Sequence, residues 1–325
     1  MRAWQIDSLS TPARLITQAT PAPGPGQALL RIHACALNFA DLLMAEGKYQ
    51  SKPPLPFTPG LELAGEVVAL GPDTTGATSS IIAPGTRVAC YAGHGGLADY
   101  GCFPIDRLIP IPDSMPYAHA SAFLIAYGTS HLALWHKARL QEGETLLVTG
   151  AAGGVGLTAV EVGKRMGARV IATARGADKL AVARAAGADH LIDSDAPDLK
   201  DQLKALGGVD VTYDAVGGAG FDAALRATRP DGRILCIGFA GGEVPKPAAN
   251  ILLVKNIAVI GFWWGAYFDF APHLVTQSLS TLMGWYATGG LRPHISHHLP
   301  LEALPEGLAL LQDRKATGKV VMQIG

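Results

Sequence analysis

The sequence predicts an α/β protein with a doubly wound, six-stranded parallel sheet and a second, mostly β domain. Three observations predict this class. The 325 residues exceed the usual size of one core, the central region alternates strand-like apolar runs with helical patterns, and the first hundred residues hold short apolar runs separated by Pro and Gly. We expect one domain over residues 1–120, completed by 266–325, and a second over 121–265.

The first domain is predicted from the apolar runs ALLRIHACAL, LAGEVVALG and TRVACYA, which have strand length and are separated by turn residues. After residue 265 the sequence predicts helices near 274–287 and 303–317, followed by the strand KVVMQI. This tail is too short to form a domain alone, so we expect it to rejoin the first.

The parallel sheet is predicted from six apolar runs in order. TLLVT, RVIATA and HLID are each followed by a helical pattern, and VDVTYDAV, GRILCIGF and NIAVIGFWW supply three more strands. A helix over 221–227 separates the fourth and fifth strands. This alternation is typical of a doubly wound sheet.

A glycine-rich turn joins the first of these strands to its helix. Gly150 permits a tight turn, Gly153 lets the backbone approach a pyrophosphate, and Gly156 lets the helix pack closely. The free amides of a helix N-terminus, here at Gly154 and Val155, favour an anion. The turn therefore predicts dinucleotide binding, and the alternative is a chance match in a chain of 39 glycines.

The end of the second strand bears on the choice of nucleotide. Sheets that select NAD place an acidic residue there, whereas this chain has Thr173 and Ala174, followed by Arg175 and Lys179. Two cations near the ribose favour a 2'-phosphate, so we predict NADPH as cofactor. The alternative is that both cations are ordinary solvated residues near a helix start.

Composition excludes several functional classes. A net charge of -1 without basic clusters argues against nucleic-acid binding. No apolar stretch reaches the roughly 18 residues that span a bilayer, so we expect no membrane association and a cytoplasmic location. Four cysteines without a CxxC pair suit reduced thiols.

The chain resembles the zinc-free quinone oxidoreductases, the zeta-crystallin-like group of medium-chain dehydrogenases/reductases. The resemblance covers nearly the whole length and rests on NFADLLMAEGKY, PFTPGLELAGEVVALG, GAAGGVG, YDAVGG and GKVVM. It implies a Rossmann domain and a GroES-like catalytic domain. Where zinc-dependent relatives have a cysteine and a histidine, this chain has Asn38 and Leu61, and Leu61 cannot ligate a metal. We therefore expect no metal site, including at the histidines of HISHH, His294, His297 and His298.

The same resemblance implies the residues of the site. Asn38 and Tyr49 would border the nicotinamide and substrate, with Tyr49 as the leading proton donor or, alternatively, an ordinary loop aromatic. The remaining positions that the resemblance places in cofactor-contacting segments are Thr129, Ser194, Gly238, Phe239, Phe262, Trp263, Trp264 and Lys319. The aromatics near Trp264, which include Tyr267 and Phe268, have three interpretations: a wall for flat acceptors, a subunit contact or core.

These features predict zinc-independent, NADPH-dependent hydride transfer to quinones, which need only positioning and a hydrogen-bond donor. Reduction of the double bond in enals, enones or enoyl thioesters is the alternative. An alternative of another class is a non-catalytic NADPH-binding structural protein. The resemblance also implies a homodimer formed through the strand NIAVIGF.

Overall fold

The computed structural model describes residues 1–72 and 82–325. The chain divides into two compact units. The first unit contains Met1–Ile125 and Pro293–Gly325, and the second contains Ala126–Arg292.

The strands, in chain order, are β1 (Arg2–Gln5), β2 (Arg14–Thr17), β3 (Gln27–Leu37), β4 (Glu62–Leu70), β5 (Arg87–Tyr91), β6 (Tyr100–Pro104), β7 (Leu108–Pro110), β8 (Thr145–Thr149), β9 (Arg169–Ala174), β10 (His190–Asp193), β11 (Val209–Asp214), β12 (Thr228–Cys236), β13 (Ala258–Gly261), β14 (Ile295–Pro300) and β15 (Lys319–Gln323).

The α-helices are α1 (Phe39–Ala45), α2 (Tyr117–Ser121), α3 (Leu124–Leu132), α4 (Gly154–Arg165), α5 (Ala177–Ala185), α6 (Leu199–Ala205), α7 (Gly218–Ala227), α8 (Ala249–Lys255), α9 (Tyr267–Phe270), α10 (Pro272–Ala287) and α11 (Leu304–Gln312). Short 3-10 helices cover Ile105–Arg107, Trp264–Ala266 and Leu301–Ala303, and a π-helix covers Ala133–Lys137. None of the helices in the described part of the chain is long and apolar enough to cross a membrane.

The second unit contains the predicted six-stranded sheet. Its strand order is β10-β9-β8-β11-β12-β13, and every neighbouring pair is parallel. All five residues of β8 are buried, as expected of a strand that is covered on both faces. The doubly wound fold is thus confirmed. The direction of winding reverses between β8 and β11, and such a switch point is where open α/β sheets bind ligands.

The first unit is built on a seven-stranded sheet centred on β3. This strand pairs antiparallel with β4, β6 and β15, and β15 pairs parallel with β14. Most residues of β3 are buried, and Leu30 and Ile32 belong to an apolar core that also contains Leu63, Val67, Val320 and Met322. The predicted mostly β domain and the return of the tail into its sheet are both observed.

The observed boundary between the units differs from the expected one at the segment 266–292. Its main helix, α10, belongs to the second unit. Ser278 hydrogen-bonds His131 at 2.8 Å, and the Trp285 ring lies 5.7 Å from the Arg165 guanidinium. The apolar side chains of α10 are buried within that unit, so only the chain from Pro293 onward completes the first.

The last helix is shorter than expected. The helix near 303–317 ends as α11 at Gln312. Arg314 has a φ of 56°, in the left-handed region, which a continuing right-handed helix cannot contain.

Candidate active site

The glycine-rich turn lies at the carboxyl end of β8, at the switch point of the sheet. Gly150 has a φ of +61°, and its carbonyl accepts the N–H of Gly153 at 2.9 Å. Gly153 is the N-cap of α4. A Cβ placed on Gly156 would lie 2.2 Å from the Gly150 oxygen, so only glycine allows this helix to begin so close to the turn. The turn therefore presents the first N–H groups of α4 at the edge of the sheet.

A buried carboxylate that the sequence analysis did not identify organises the neighbouring loop. Asp214 ends β11, is fully buried, and accepts hydrogen bonds from the Thr149 hydroxyl at 2.5 Å and the Gly217 N–H at 3.1 Å. Burial raises the pKa of Asp214, and these hydrogen bonds oppose the increase. The loop also brings Val216 to the turn, since a Cβ on Gly150 would lie 2.9 Å from its side chain. In the sequence, Asp214 could have been recognised as a charged residue at the end of a largely apolar strand.

The two cations after β9 have acidic neighbours that sequence reasoning also missed. The Arg175 guanidinium pairs with Asp195 at 2.8 Å, and both side chains are exposed. Asp193 lies opposite Ala174 in the sheet and accepts the Gly176 N–H at 3.2 Å. The pairing of β9 with β10 creates this proximity, which a linear sequence does not show. Arg175 therefore directly follows the end of β9, and its guanidinium is paired with a carboxylate.

Among the other residues predicted to contact the cofactor, some are buried and others are accessible to solvent. In the second unit Thr129 lies within α3 and is 7% exposed, and the Gly238 N–H donates to the Asp214 carbonyl. Ser194 is exposed beyond β10, and its N–H donates to the Ala174 carbonyl. Phe239 is 40% exposed.

The aromatic segment after β13 is mostly packing. The ring of Trp264 is buried against Gly128 and meets Phe268 edge to face at 5.0 Å. Phe262 is also buried and packs against Tyr267 at 5.4 Å. Trp263 is 41% exposed and is the segment's accessible predicted cofactor contact. Of the three interpretations left open, core packing fits Phe262 and Trp264.

In the first unit, sheet pairing brings Asn38, Glu62 and Lys319 together. Asn38 follows β3 directly, Glu62 is the first residue of β4, and Lys319 is the first residue of β15. Because β4 and β15 flank the carboxyl end of β3, their first residues lie beside Asn38. Glu62 and Lys319 are 0% and 4% exposed.

These three side chains form a closed hydrogen-bond network. The Lys319 ammonium donates to Asn38 Oδ1 at 2.6 Å and to Glu62 Oε1 at 2.8 Å. Asn38 Nδ2 donates to the same Glu62 oxygen at 3.1 Å, and the Ile125 N–H donates to Oε2 at 3.0 Å. Lys319 was expected to contact the cofactor, but the structure commits its ammonium to this network. Sequence reasoning considered Glu62 in isolation and missed its partner.

A second buried carboxylate supports the start of α1. Asp41 accepts the Asn38 N–H at 2.8 Å and the Gly60 N–H at 3.2 Å. Burial raises the pKa of Asp41 to about 7, although both hydrogen bonds favour its charged form. Asp41 thereby fixes the backbone of Asn38, whose carboxamide points to Glu62 and Lys319.

The position that carries a histidine in zinc-dependent relatives is part of an apolar cluster. Leu61 is 1% exposed and packs with Met44 and Phe57, and Tyr49 lies partly buried against the same cluster. Tyr49 therefore has a packing role in addition to its predicted role as donor.

Two of the three histidines of HISHH bond to neighbouring hydroxyl groups. His294 contacts the Thr317 hydroxyl and His297 that of Ser296. Over residues 1–72 and 82–325, no group of three or more His, Cys, Asp or Glu side chains is arranged to hold a metal ion.

The turn of the second unit fits the diphosphate of a dinucleotide. A Cβ on Gly153 would meet only the Gly150 oxygen, at 3.3 Å, so the open face of this residue is available to a ligand. The adjacent N–H groups and the helix dipole favour an anion there. Together with the parallel sheet, this geometry is typical of a dinucleotide-binding domain of the Rossmann class.

Comparisons with known proteins identify the family. Residues 24–113 match the family model "Alcohol dehydrogenase GroES-like domain", and residues 154–281 match "Zinc-binding dehydrogenase". The chain is 40% identical over 305 residues to a quinone oxidoreductase-like protein 2 homolog of Nematostella vectensis, covering 92% of this chain and 82% of that protein. It is 32% identical over 320 residues to prostaglandin reductase-3 of Bos taurus, covering 94% and 83% respectively.

A solved structure agrees with this assignment. The quinone oxidoreductase of Thermus thermophilus, described with its NADPH complex, superposes with a TM-score of 0.86 at 32% identity, covering 99% of this chain and 100% of that one. This chain belongs to the quinone oxidoreductase group of the medium-chain dehydrogenase/reductase family.

Proposed function

We propose that this protein is an NADPH-dependent reductase of quinones. The observation that carries the proposal is the glycine-rich turn of the second unit, which presents the first N–H groups of α4 and leaves the face of Gly153 open to an anion. NADPH, when bound, supplies a hydride. The Thermus relative described with NADPH supports the same cofactor.

The preference for NADPH over NADH is supported by the end of β9. Thr173 and Ala174 are buried there and neither carries a carboxylate that would repel a 2'-phosphate. Arg175 and Lys179 follow and supply positive charge. The Asp193 carboxylate accepts the Gly176 N–H, so it helps to fix the loop that follows β9.

The ion pair at Arg175 makes the cofactor preference testable. Asp195→Asn removes the negative charge that pairs with Arg175, so that the Arg175 guanidinium is available to the 2'-phosphate of NADPH. Affinity for NADPH should rise by about two- to fivefold, as for an exposed ion pair of about 0.5 to 1 kcal/mol, with NADH unaffected. Asp313→Asn is the control because Asp313 is also exposed and pairs with a lysine, Lys315, in the first unit. Equal changes for both nucleotides in calorimetry would contradict the assignment.

Reduction of a quinone requires little of the protein beyond orientation and charge stabilisation. Negative charge that forms on the acceptor is delocalised onto oxygen, so a positioned donor suffices. Tyr49 is the proposed donor, and it lies partly buried against the apolar cluster that contains Leu61. Tyr49→Phe should lower kcat if the hydroxyl donates, whereas an unchanged kcat would reduce Tyr49 to packing.

Reduction of conjugated double bonds is a second candidate, because prostaglandin reductase-3 is a relative over most of the chain. Both reactions place negative charge on an oxygen and use the same donor. A competition experiment separates them: limiting NADPH is supplied with equal amounts of a benzoquinone and an enone. Hydroquinone as the main product supports the proposal, and the saturated ketone supports the second candidate.

We also propose a homodimer formed through β13. This strand is at the edge of the six-stranded sheet, and exposed edges can pair with another chain. The preceding helix α8 exposes Leu253 and Val254 at 77% and 76%. Light scattering should give twice the chain mass, and a monomer at micromolar concentration would contradict this assembly.

A further inference from the structure

The buried pair of Glu62 and Lys319 contacts both ends of the Asn38 carboxamide. Lys319 donates to the carboxamide oxygen, and the Glu62 carboxylate accepts from the carboxamide nitrogen. A single oxygen, Glu62 Oε1, receives both Lys319 and Asn38, so the three groups form a closed ring. The second oxygen of Glu62 is held by the Ile125 N–H, which prevents the carboxylate from turning.

This ring determines the orientation of the carboxamide. A rotation by half a turn would place the NH2 group against the ammonium and the carbonyl oxygen against the carboxylate. Both new contacts are repulsive, because an ammonium has only donors and an ionised carboxylate has only acceptors. The backbone of Asn38 is fixed independently by Asp41. Asn38 is therefore held at its backbone by Asp41 and at its side chain by the ion pair.

Stability alone is a poor reason for such a pair. Taking two charges out of water costs about as much as their attraction returns, and apolar pairs of similar volume often stabilise a fold better. Here Glu62 and Lys319 are the first residues of strands that are otherwise largely apolar, ELAGEVVAL and KVVMQ. Both side chains hydrogen-bond to Asn38.

We propose that Glu62 and Lys319 are positioning residues that hold the Asn38 carboxamide in one orientation for reduction of the acceptor. The proposal rests on the proposed function and on the expectation, implied by the family resemblance, that Asn38 borders the nicotinamide and substrate. Glu62 and Lys319 act through Asn38 and do not themselves contact the reacting atoms.

The first test is Glu62→Gln, which keeps the shape of the side chain and removes its charge. We expect kcat to fall by about a hundredfold, the effect of a small misplacement of a reacting group, with the KM for NADPH unchanged. Glu66→Gln is the matched control, because Glu66 lies on the same strand and lacks a contact with Asn38 among the described hydrogen bonds. If both variants have the same kcat as the wild-type protein, the proposal is wrong.

A double-mutant cycle separates positioning from general stabilisation. In an Asn38→Ala background, Glu62→Gln should cause no additional loss of kcat, because the residue through which it acts is absent. A loss by the same factor in both backgrounds would show that Glu62 does not act through Asn38. The double variant Glu62→Gln/Lys319→Met removes both charges and avoids a buried unpaired ion, so it serves if the single variant does not fold. The two substitutions together should lower kcat when Asn38 is present and cause no further loss of kcat in the Asn38→Ala background.

A measurement on the cofactor-free protein tests orientation without turnover. The side-chain NH2 resonances of Asn38 in nitrogen-edited NMR spectra should move in Glu62→Gln and stay in place in Glu66→Gln. Unmoved resonances in both variants would overturn the proposal. If no acceptor is reduced at all, the proposed function fails, whereas this spectrum still decides whether the ion pair orients Asn38.

Discussion

Replacing Gly156 by alanine tests the account of the dinucleotide turn. The added Cβ would lie 2.2 Å from the Gly150 oxygen and 2.8 Å from its carbonyl carbon, whereas real Cβ contacts are essentially never shorter than 3.0 Å. The backbone must therefore move by about 0.8 Å, the difference between 3.0 and 2.2 Å, and the atoms that must move belong to the turn itself. Overpacking of this kind costs about 1 to 3 kcal/mol, and alanine returns about 1 kcal/mol of helix propensity.

We therefore expect Gly156→Ala to destabilise the second unit by up to about 2 kcal/mol, the difference between these two effects, which lowers its thermal midpoint by up to roughly 8 °C, and to weaken NADPH binding. Gly284→Ala in α10 is the control, because no atom lies within 4 Å of its added Cβ, so its midpoint should rise slightly. Gly153→Ala meets only one oxygen, at 3.3 Å, and should reduce NADPH affinity with little loss of stability. A Gly156→Ala protein with the wild-type midpoint in scanning calorimetry and also the wild-type affinity for NADPH would refute the reasoning.

Three further substitutions have defined outcomes. Lys179→Glu should weaken NADPH more than NADH in calorimetric titrations, because the new charge repels the 2'-phosphate; equal losses would contradict this. Asp214→Asn should destabilise the protein by about 1 to 3 kcal/mol in urea unfolding, since the amide nitrogen that replaces one carboxylate oxygen cannot accept a backbone N–H such as that of Gly217. Burial raises the pKa of Asp41 to about 7 in the folded protein, whereas in the unfolded chain this carboxyl ionises near its ordinary value of 3.8. Between these two pH values the folded protein therefore holds a proton that the unfolded chain has released. Its stabilisation is thus complete below about pH 4 and is lost as the pH rises through 7, by about 4 kcal/mol. The difference in unfolding free energy between wild type and Asp41→Asn should follow that curve, and a difference independent of pH would exclude it.

The parallel sheet and the turn were predictable because their signals are local. Most strands of the second unit are short apolar runs followed by a helical pattern, and Gly150 and Gly156 lie where φ or close approach requires glycine. The β-rich first unit was predictable for the same reason, since its strands are apolar runs between turns.

The network around Asn38 was not predictable, because it depends on sheet pairing. Glu62 and Lys319 are 257 residues apart in the chain and meet only because β4 and β15 flank β3. A charged residue at the start of an apolar strand was the available signal. The pairing of Arg175 with Asp195 was hidden in the same way by the pairing of β9 with β10.

The compact units differ from the expected domains at the segment 266–292 because helical periodicity does not show which core a helix joins. The apolar face of α10 fits either unit by pattern alone. Contacts of Ser278 with His131 and of Trp285 with Arg165 assign it to the second unit.

The most direct test of the central claim is the steady-state oxidation of NADPH by a benzoquinone, followed through the loss of the absorbance of reduced nicotinamide. We predict a kcat/KM for the quinone with NADPH that clearly exceeds the values with NADH and with an enone. Oxidation that requires an enone, or no oxidation by any acceptor in the presence of bound NADPH, would contradict the account.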